Sequence, residues 1–149
     1  NVIVNEKKIQ GTPVVQLETA IGSALDCFDG AVGLCVSRDR FMPVKKTEDL
    51  LLVQSNLFNL EGGRLVRNKE RKAAHLPEII FGSPLDQVDR FKECFSVIPD
   101  LLELELLEMA GQVYFSGSAS LKGEVTLKAV NKKLSIENGK RIEDERIEC

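Results

Sequence analysis

At 149 residues the chain has the length of one ordinary domain or two small ones, and with 43% hydrophobic and 29% charged residues it can bury a real core. Twenty basic side chains against twenty-three acidic leave a formal charge of −3, too near neutral for a protein whose affinity comes from neutralising phosphates, so bulk nucleic-acid binding is excluded. The longest purely apolar run, residues 50–53, is far short of a spanning helix and the first residues lack a charged-then-apolar leader, so neither a membrane nor an export signal is expected.

Chain order begins abruptly. There is no initiator Met, and Val2, Ile3 and Val4 suggest a strand already under way, as in a piece of something larger. Residues 16–29 place Leu17, Ala20, Ile21, Ala24, Leu25 and Phe28 at helical spacing with Gly30 as the stop, which predicts an amphipathic helix. Its start is open: Thr12-Pro13 could cap it, and Val14-Val15 could equally end a strand. The apolar run 31–36 has the length of a buried strand. Thr47 offers an N-cap to a second helix over about 48–60, with Glu48 and Asp49 in its first turn and Leu50, Val53, Leu57 and Leu60 along one face. Gly62-Gly63 closes it, 64–68 reads as a short exposed strand or loop, and the stretch to Pro84 is rich in turns. A third helix is expected over 84–95, with Leu85, Val88, Phe91 and Phe95 on one side.

Beyond Pro99 the period changes to six. Residues 111–116 (GQVYFS), 117–122 (GSASLK) and 123–128 (GEVTLK) align without gaps, with glycine first, a small apolar residue at 113, 119 and 125, and a larger one at 115, 121 and 127. Leu101, Leu107 and Met109 extend the registers backwards, and Val130, Ile136 and Ile142 keep the beat in a shifted phase. Such a period is the mark of a parallel β-helix, with alternating apolar positions filling the interior and glycine accepting the left-handed dihedrals of a corner; an antiparallel meander with accidental spacing is the alternative. Charge divides along the same line: residues 1–97 hold thirteen basic and thirteen acidic groups, and 98–149 hold seven and ten. The mostly charged last nine residues are expected to fray or to dock onto a partner.

Cys27, Cys35, Cys94 and Cys149 are spaced like neither a metal knuckle nor a disulfide framework, and His75, the one histidine, has no Cys or His cluster near it. Reduced thiols in a cytoplasmic protein and no metal site within the chain are the plain expectations. The chemistry is sought instead in basic clusters. Arg38, Arg40, Lys45 and Lys46 face one acid, Asp39, within nine residues. Lys45 and Lys46 also precede a helix start, where the macrodipole disfavours a cation by about 0.3–1 kcal/mol. A phosphate held by the lysines and the free N–H groups of the helix start would account for them, and a solvated basic loop reaching Glu48, Asp49 or Asp39 is the alternative. Arg64, Arg67, Lys69, Arg71 and Lys72 have no aromatic residues interleaved for base stacking and read as a solvated face, His75 as a surface residue, and Glu103, Glu105 and Glu108 as an exterior strand face. No nucleophile elbow, P-loop or dinucleotide glycine pattern occurs.

Residues 15–25 (VQLETAIGSAL), 38–57 (RDRFMPVKKTEDLLLVQSNL), Phe91 with 96–100 (SVIPD), and 111–125 together resemble the C-terminal third of eukaryotic UDP-glucose pyrophosphorylases, and the likeness covers nearly the whole chain. The resemblance implies the α/β end of a Rossmann-like nucleotidyltransferase domain over residues 1–97, followed by a left-handed parallel β-helix over 98–149. It implies formation of UDP-glucose and pyrophosphate from UTP and glucose 1-phosphate with Mg²⁺, in which Lys45, closing the Arg-x-Arg-Phe-x-Pro-Val-Lys motif, contacts phosphate as a catalytic and substrate-binding residue. Two departures matter. Ser37 stands where the family usually has proline, and the glycine-rich nucleotide segment and the metal-holding aspartate belong to the family's N-terminal part. The Mg²⁺ ligands therefore lie outside this chain, the N-terminal part of the same enzyme is the expected partner, in the same chain or a separate one, and the chain alone is expected to be inactive. A rival reading makes it a non-catalytic β-helix module for subunit association, with homo-oligomers formed through its open end. A hexapeptide-type acyltransferase is disfavoured, because the repeat is short and contains no histidine.

Overall fold

The computed structural model describes residues 2–149; Asn1 and the side chain of Asp39, the acid counted within the first basic cluster, lie outside the described residues. The chain forms two compact units, residues 1–37 and 38–149. The first holds an antiparallel hairpin, β1 (Val2–Ile9) against β2 (Thr12–Thr19). Ile9 pairs with Thr12 across the two-residue turn Gln10-Gly11, both at positive φ (50° and 82°), the mirror-image turn whose twist suits a hairpin. A run of 3₁₀ turns over Ile21–Cys27 follows, and 31–36 is irregular.

The helix expected at 16–29 and the strand expected at 31–36 are therefore both corrected. Amphipathic helices of this length are held by packing of their apolar stripe, and none of the described residues 2–37 is buried. Leu17 is 67% exposed and Ile21 91%. Without a surface to cover the stripe, pairing with β1 satisfies the backbone instead.

The second unit carries the core. Helix α1 (Thr47–Gln54) is shorter than expected, because Ser55 turns the chain: its Oγ donates to Leu52 O at 2.8 Å and accepts from Leu57 N–H at 3.3 Å. The helix buries Leu51, and Leu57 beyond it is buried too, whereas Leu60 is 75% exposed on a second hairpin, β3 (Phe58–Glu61) and β4 (Arg64–Arg67), turned by Gly62-Gly63. After β5 (Glu78–Phe81), helix α2 occupies only Val88–Cys94, the expected first turn being non-helical with Leu85 buried in it. Phe95 joins α2 to the sheet; its ring lies 4.9 Å from Phe91 and 5.3 Å from Phe115.

From β5 onwards the strands form one parallel sheet, ordered β5, β6 (Asp100–Phe115), β7 (Ala119–Ile136) and β8 (Lys140–Glu143), with β9 (Arg146–Glu148) also on β7. The paired residues of β6 each face one 18 to 21 positions later, as Leu107 with Val125 and Phe115 with Ile136, and β7 repeats this step onto β8 and β9. The six positions assigned inward from the hexad (113, 115, 119, 121, 125 and 127) are all buried, and Leu101, Leu107, Met109, Ile136 and Ile142 join them. Val130 does not: it is 75% exposed. The pairing shows why the phase shifts there. Gly111 lies opposite Ala129 and Val113 opposite Leu134, so β7 takes three residues more than β6 between these rungs, and Val130 falls among them.

Gly111 and Gly123 have φ of 77° and 66°. Gly117 does not need a left-handed backbone; a Cβ there would lie 2.7 Å from Asn138 Cβ in the next layer. Most of the last nine residues are paired: β8 and β9 lie on β7, and Cys149 N–H donates to Lys128 O at 3.0 Å.

Candidate functional site

The 3₁₀ turn Arg38–Arg40 leads into the basic motif, with Phe41 N–H donating to Arg38 O at 3.0 Å and the Arg38 guanidinium 4.5 Å above the Phe41 ring. Residues 42–46 then run to α1 without regular structure. Lys45 is exposed, and among the described residues its ammonium has no hydrogen bond or ion pair. It lines none of the larger depressions described below.

At the helix start two backbone N–H groups are already engaged. Asp49 Oδ2, on the third residue of the helix, accepts from both Lys45 N–H (2.9 Å) and Lys46 N–H (3.0 Å), so these two N–H groups are not free for a ligand. Thr47 is not the cap either: it is the first helical residue, and buried. The ammonium of Lys45, unlike its backbone, is left unengaged.

The second basic cluster departs from a solvated face at one position. The Arg71 side chain is only 4% exposed. Its Nε donates to His75 O at 2.9 Å, and its Nη1 to Leu102 O (2.8 Å), Leu104 O (2.9 Å) and, more loosely, Leu101 O (3.4 Å). Those carbonyls sit where the β6–β7 register breaks, between Asp100 and Glu103 and between Leu104 and Leu106, so the guanidinium serves oxygens turned away from the regular ladder. Nη2 is buried without a hydrogen bond, 4.0 Å from Glu105 Oε1. Burial lowers the Arg71 pKa, opposed by the Glu105 charge and assisted by Arg67. No local sequence signal marks this role, because the register breaks lie thirty residues downstream.

His75 is a surface residue, its Nε2 3.0 Å from Glu105 Oε2. Glu103, Glu105 and Glu108 line the outer face of β6 as foreseen, each in an ion pair: Glu108 with Lys128, and Glu103 with Lys122 and Arg141. The Lys122–Glu143 contact, 2.8 Å, continues that ladder and holds the Glu143 carboxyl below its ordinary pKa. The four cysteines are free, and burial pushes the Cys94 thiol up. Among the described residues no three acidic, His or Cys side chains gather as a metal site. No helix among the described residues is long and apolar enough to cross a membrane.

Residues 1–122 match the family model described as UTP--glucose-1-phosphate uridylyltransferase. The chain is 45% identical over 128 residues to the enzyme of that name from Pyrus pyrifolia, covering 86% of this chain and 27% of the relative. It is 42% identical over 147 residues to the one from Hordeum vulgare, covering 98% and 31%. Among solved structures it is similar to a UDP-glucose phosphorylase from Trypanosoma brucei (TM-score 0.76, 30% identity, 99% of this chain and 34% of that one). A mutant UDP-glucose pyrophosphorylase from Leishmania major, solved in complex with UDP-glucose, is similar too (TM-score 0.74, 29% identity, 99% and 33%). The chain thus spans about a third of the length of the proteins it matches. It belongs to the UTP--glucose-1-phosphate uridylyltransferase family and corresponds to the C-terminal portion of its members.

Proposed function

We propose that this chain is the C-terminal part of an enzyme that forms UDP-glucose and pyrophosphate from UTP and glucose 1-phosphate, and that Lys45 is its contribution to the chemistry. The observation that carries the reading is the family match, which includes the whole motif from Arg38 to Lys45. A phosphate oxygen of glucose 1-phosphate attacks the α-phosphorus of UTP, and pyrophosphate leaves. Negative charge gathers on the phosphoryl oxygens meanwhile, and an ammonium positioned there stabilises it by electrostatics without covalent chemistry. That the Lys45 ammonium is unengaged, while its backbone N–H is fixed by Asp49, suits a group that waits for an anion. In this reading Mg²⁺ and the nucleotide are held by the remaining portion of the enzyme.

Residues 1–97 finish the Rossmann-like catalytic domain in this reading, and 98–149 form a left-handed β-helix. The second assignment draws support from the pairing step of 18 to 21 residues, three hexads or slightly more per coil. The four unpaired thiols suit a cytoplasmic enzyme. Subunit association through the β-helix is a second reading, favoured by the outer strands β8 and β9, which pair only with β7.

Lys45→Ala in the longer enzyme should lower kcat by about 10²–10³-fold, the scale of losing one charge-stabilising donor, while leaving the melting temperature unchanged. Turnover near the wild-type level would remove Lys45 from the site.

A further inference from the structure

Two basic clusters far apart in sequence meet in the second unit. Arg40 and Arg64 line one depression of about 230 Å³. Arg64 and Arg67 line a second of about 540 Å³, and Met42 is common to both. The floor is apolar: Phe41, Met42 and Phe58, with aliphatic side chains of the 65–76 region. No lysine, aspartate or glutamate lines either depression among the described residues. Arg40 and Arg64 are exposed, with no hydrogen bond or ion pair among those residues, and Arg67 gives one bond, to Ala74 O. Phe41 is 56% exposed, and its outer neighbour is the Arg38 guanidinium.

Composition distinguishes the candidate occupants. Aromatic residues, Met and Arg enriched, with Lys, Asp and Glu depleted, is the signature of a protein interface core rather than of ordinary surface. The guanidinium groups are also distributed: Arg40 borders only the smaller depression, Arg67 only the larger, and Arg64 both. A single phosphate would need them to converge on one point; a strip of polypeptide with spaced carboxylates and apolar side chains meets all three and covers the floor. Relatives extend for roughly three times the length of this chain, so ample polypeptide lies outside it.

We propose that this groove seats a carboxylate-bearing, amphipathic segment of the remaining portion of the enzyme, held by Arg40, Arg64 and Arg67 over Phe41, Met42 and Phe58. The proposal rests on the reading of the chain as part of a longer enzyme, and its occupant is a segment of that enzyme rather than substrate.

Methionine oxidation provides the test. Met42 borders both depressions and Met109, the other methionine, is buried in the core, which makes it an internal control. Peroxide should oxidise Met42 about tenfold more slowly in the longer enzyme than in the 149-residue chain, as when the open form is a minor state of about a tenth or less. Arg40→Glu combined with Arg64→Glu in the longer enzyme should restore the fast rate, and Arg40→Gln with Arg64→Gln should restore it in part, both with Met109 unchanged. Equal Met42 rates in the two proteins overturn the proposal. So does protection of Met42 in the 149-residue chain by pyrophosphate or UDP-glucose alone, which would make the groove a small-anion site, or protection that depends on protein concentration, which would make it an interface between copies. The functional reading stands or falls separately, on UDP-glucose formation by the longer enzyme and its Lys45→Ala variant.

Discussion

Arg71 ties a polar loop to the backbone of a distant strand. Its side chain is buried, serves carbonyls of Leu102 and Leu104 on β6, and ties them to the loop at His75. Replacing it with Met would keep much of its volume and strand those oxygens, so Arg71→Met should cost about 3 kcal/mol in denaturant unfolding of the chain. Arg71→Lys should recover less than half of that, because a point charge on a flexible stem cannot reach both strand and loop as a planar fork does. The sequence shows Arg71 only as one of five cations in a polar stretch. A residue's own neighbours say little about burial when its partners are the backbone of a distant strand. Asp49 is the opposite case: acid in the first turn of a helix was expected there, and the structure adds that its carboxylate closes onto the N–H groups of Lys45 and Lys46.

At the scale of elements, the layers of the sheet are locked together at their corners. Asp144 Oδ1 accepts the Glu124 N–H at 2.9 Å, and Asn138 Oδ1 the Ser118 N–H at 2.8 Å, each above a glycine that leads its hexad. A Cβ on Gly123 would fall 1.9 Å from Asp144 Oδ1, on a backbone already at φ 66°. Gly123→Ala should therefore destabilise the chain by at least about 2 kcal/mol, the left-handed backbone alone accounting for about 1–2. Asp144→Ala in the same chain relieves the collision but not the dihedral, so a double-mutant cycle should show a favourable coupling of about 1 kcal/mol. The hexad positions were readable because their burial repeats with a fixed step and each layer supports the next. The helix foreseen at 16–29 was misread for the complementary reason: its stripe is genuine, but Leu17, Leu25 and Phe28 have nothing to cover them within their own unit. Periodicity reports which side chains could share a face, and packing decides whether they do.

The chain divides unevenly, one unit with no buried residue among those described and one with a continuous core running from Leu51 to Ile142. The chain spans about a third of the length of the relatives it matches, and it exposes large apolar side chains from Val2 to Val130. What composition and spacing could not reveal was the convergence of Arg40 with Arg64, since each cluster reads alone as an ordinary polar loop. The stepwise pairing of β6, β7 and the final strands has a mechanical corollary. Each strand hydrogen-bonds chiefly to the one 18 to 21 residues before it, and among the described residues β8 and β9 pair with β7 alone. Tension applied at the Cys149 end in an optical trap should peel the polymer like a ribbon from a spool, in successive rips of about 60–75 Å of released contour each, instead of a single collapse of the whole.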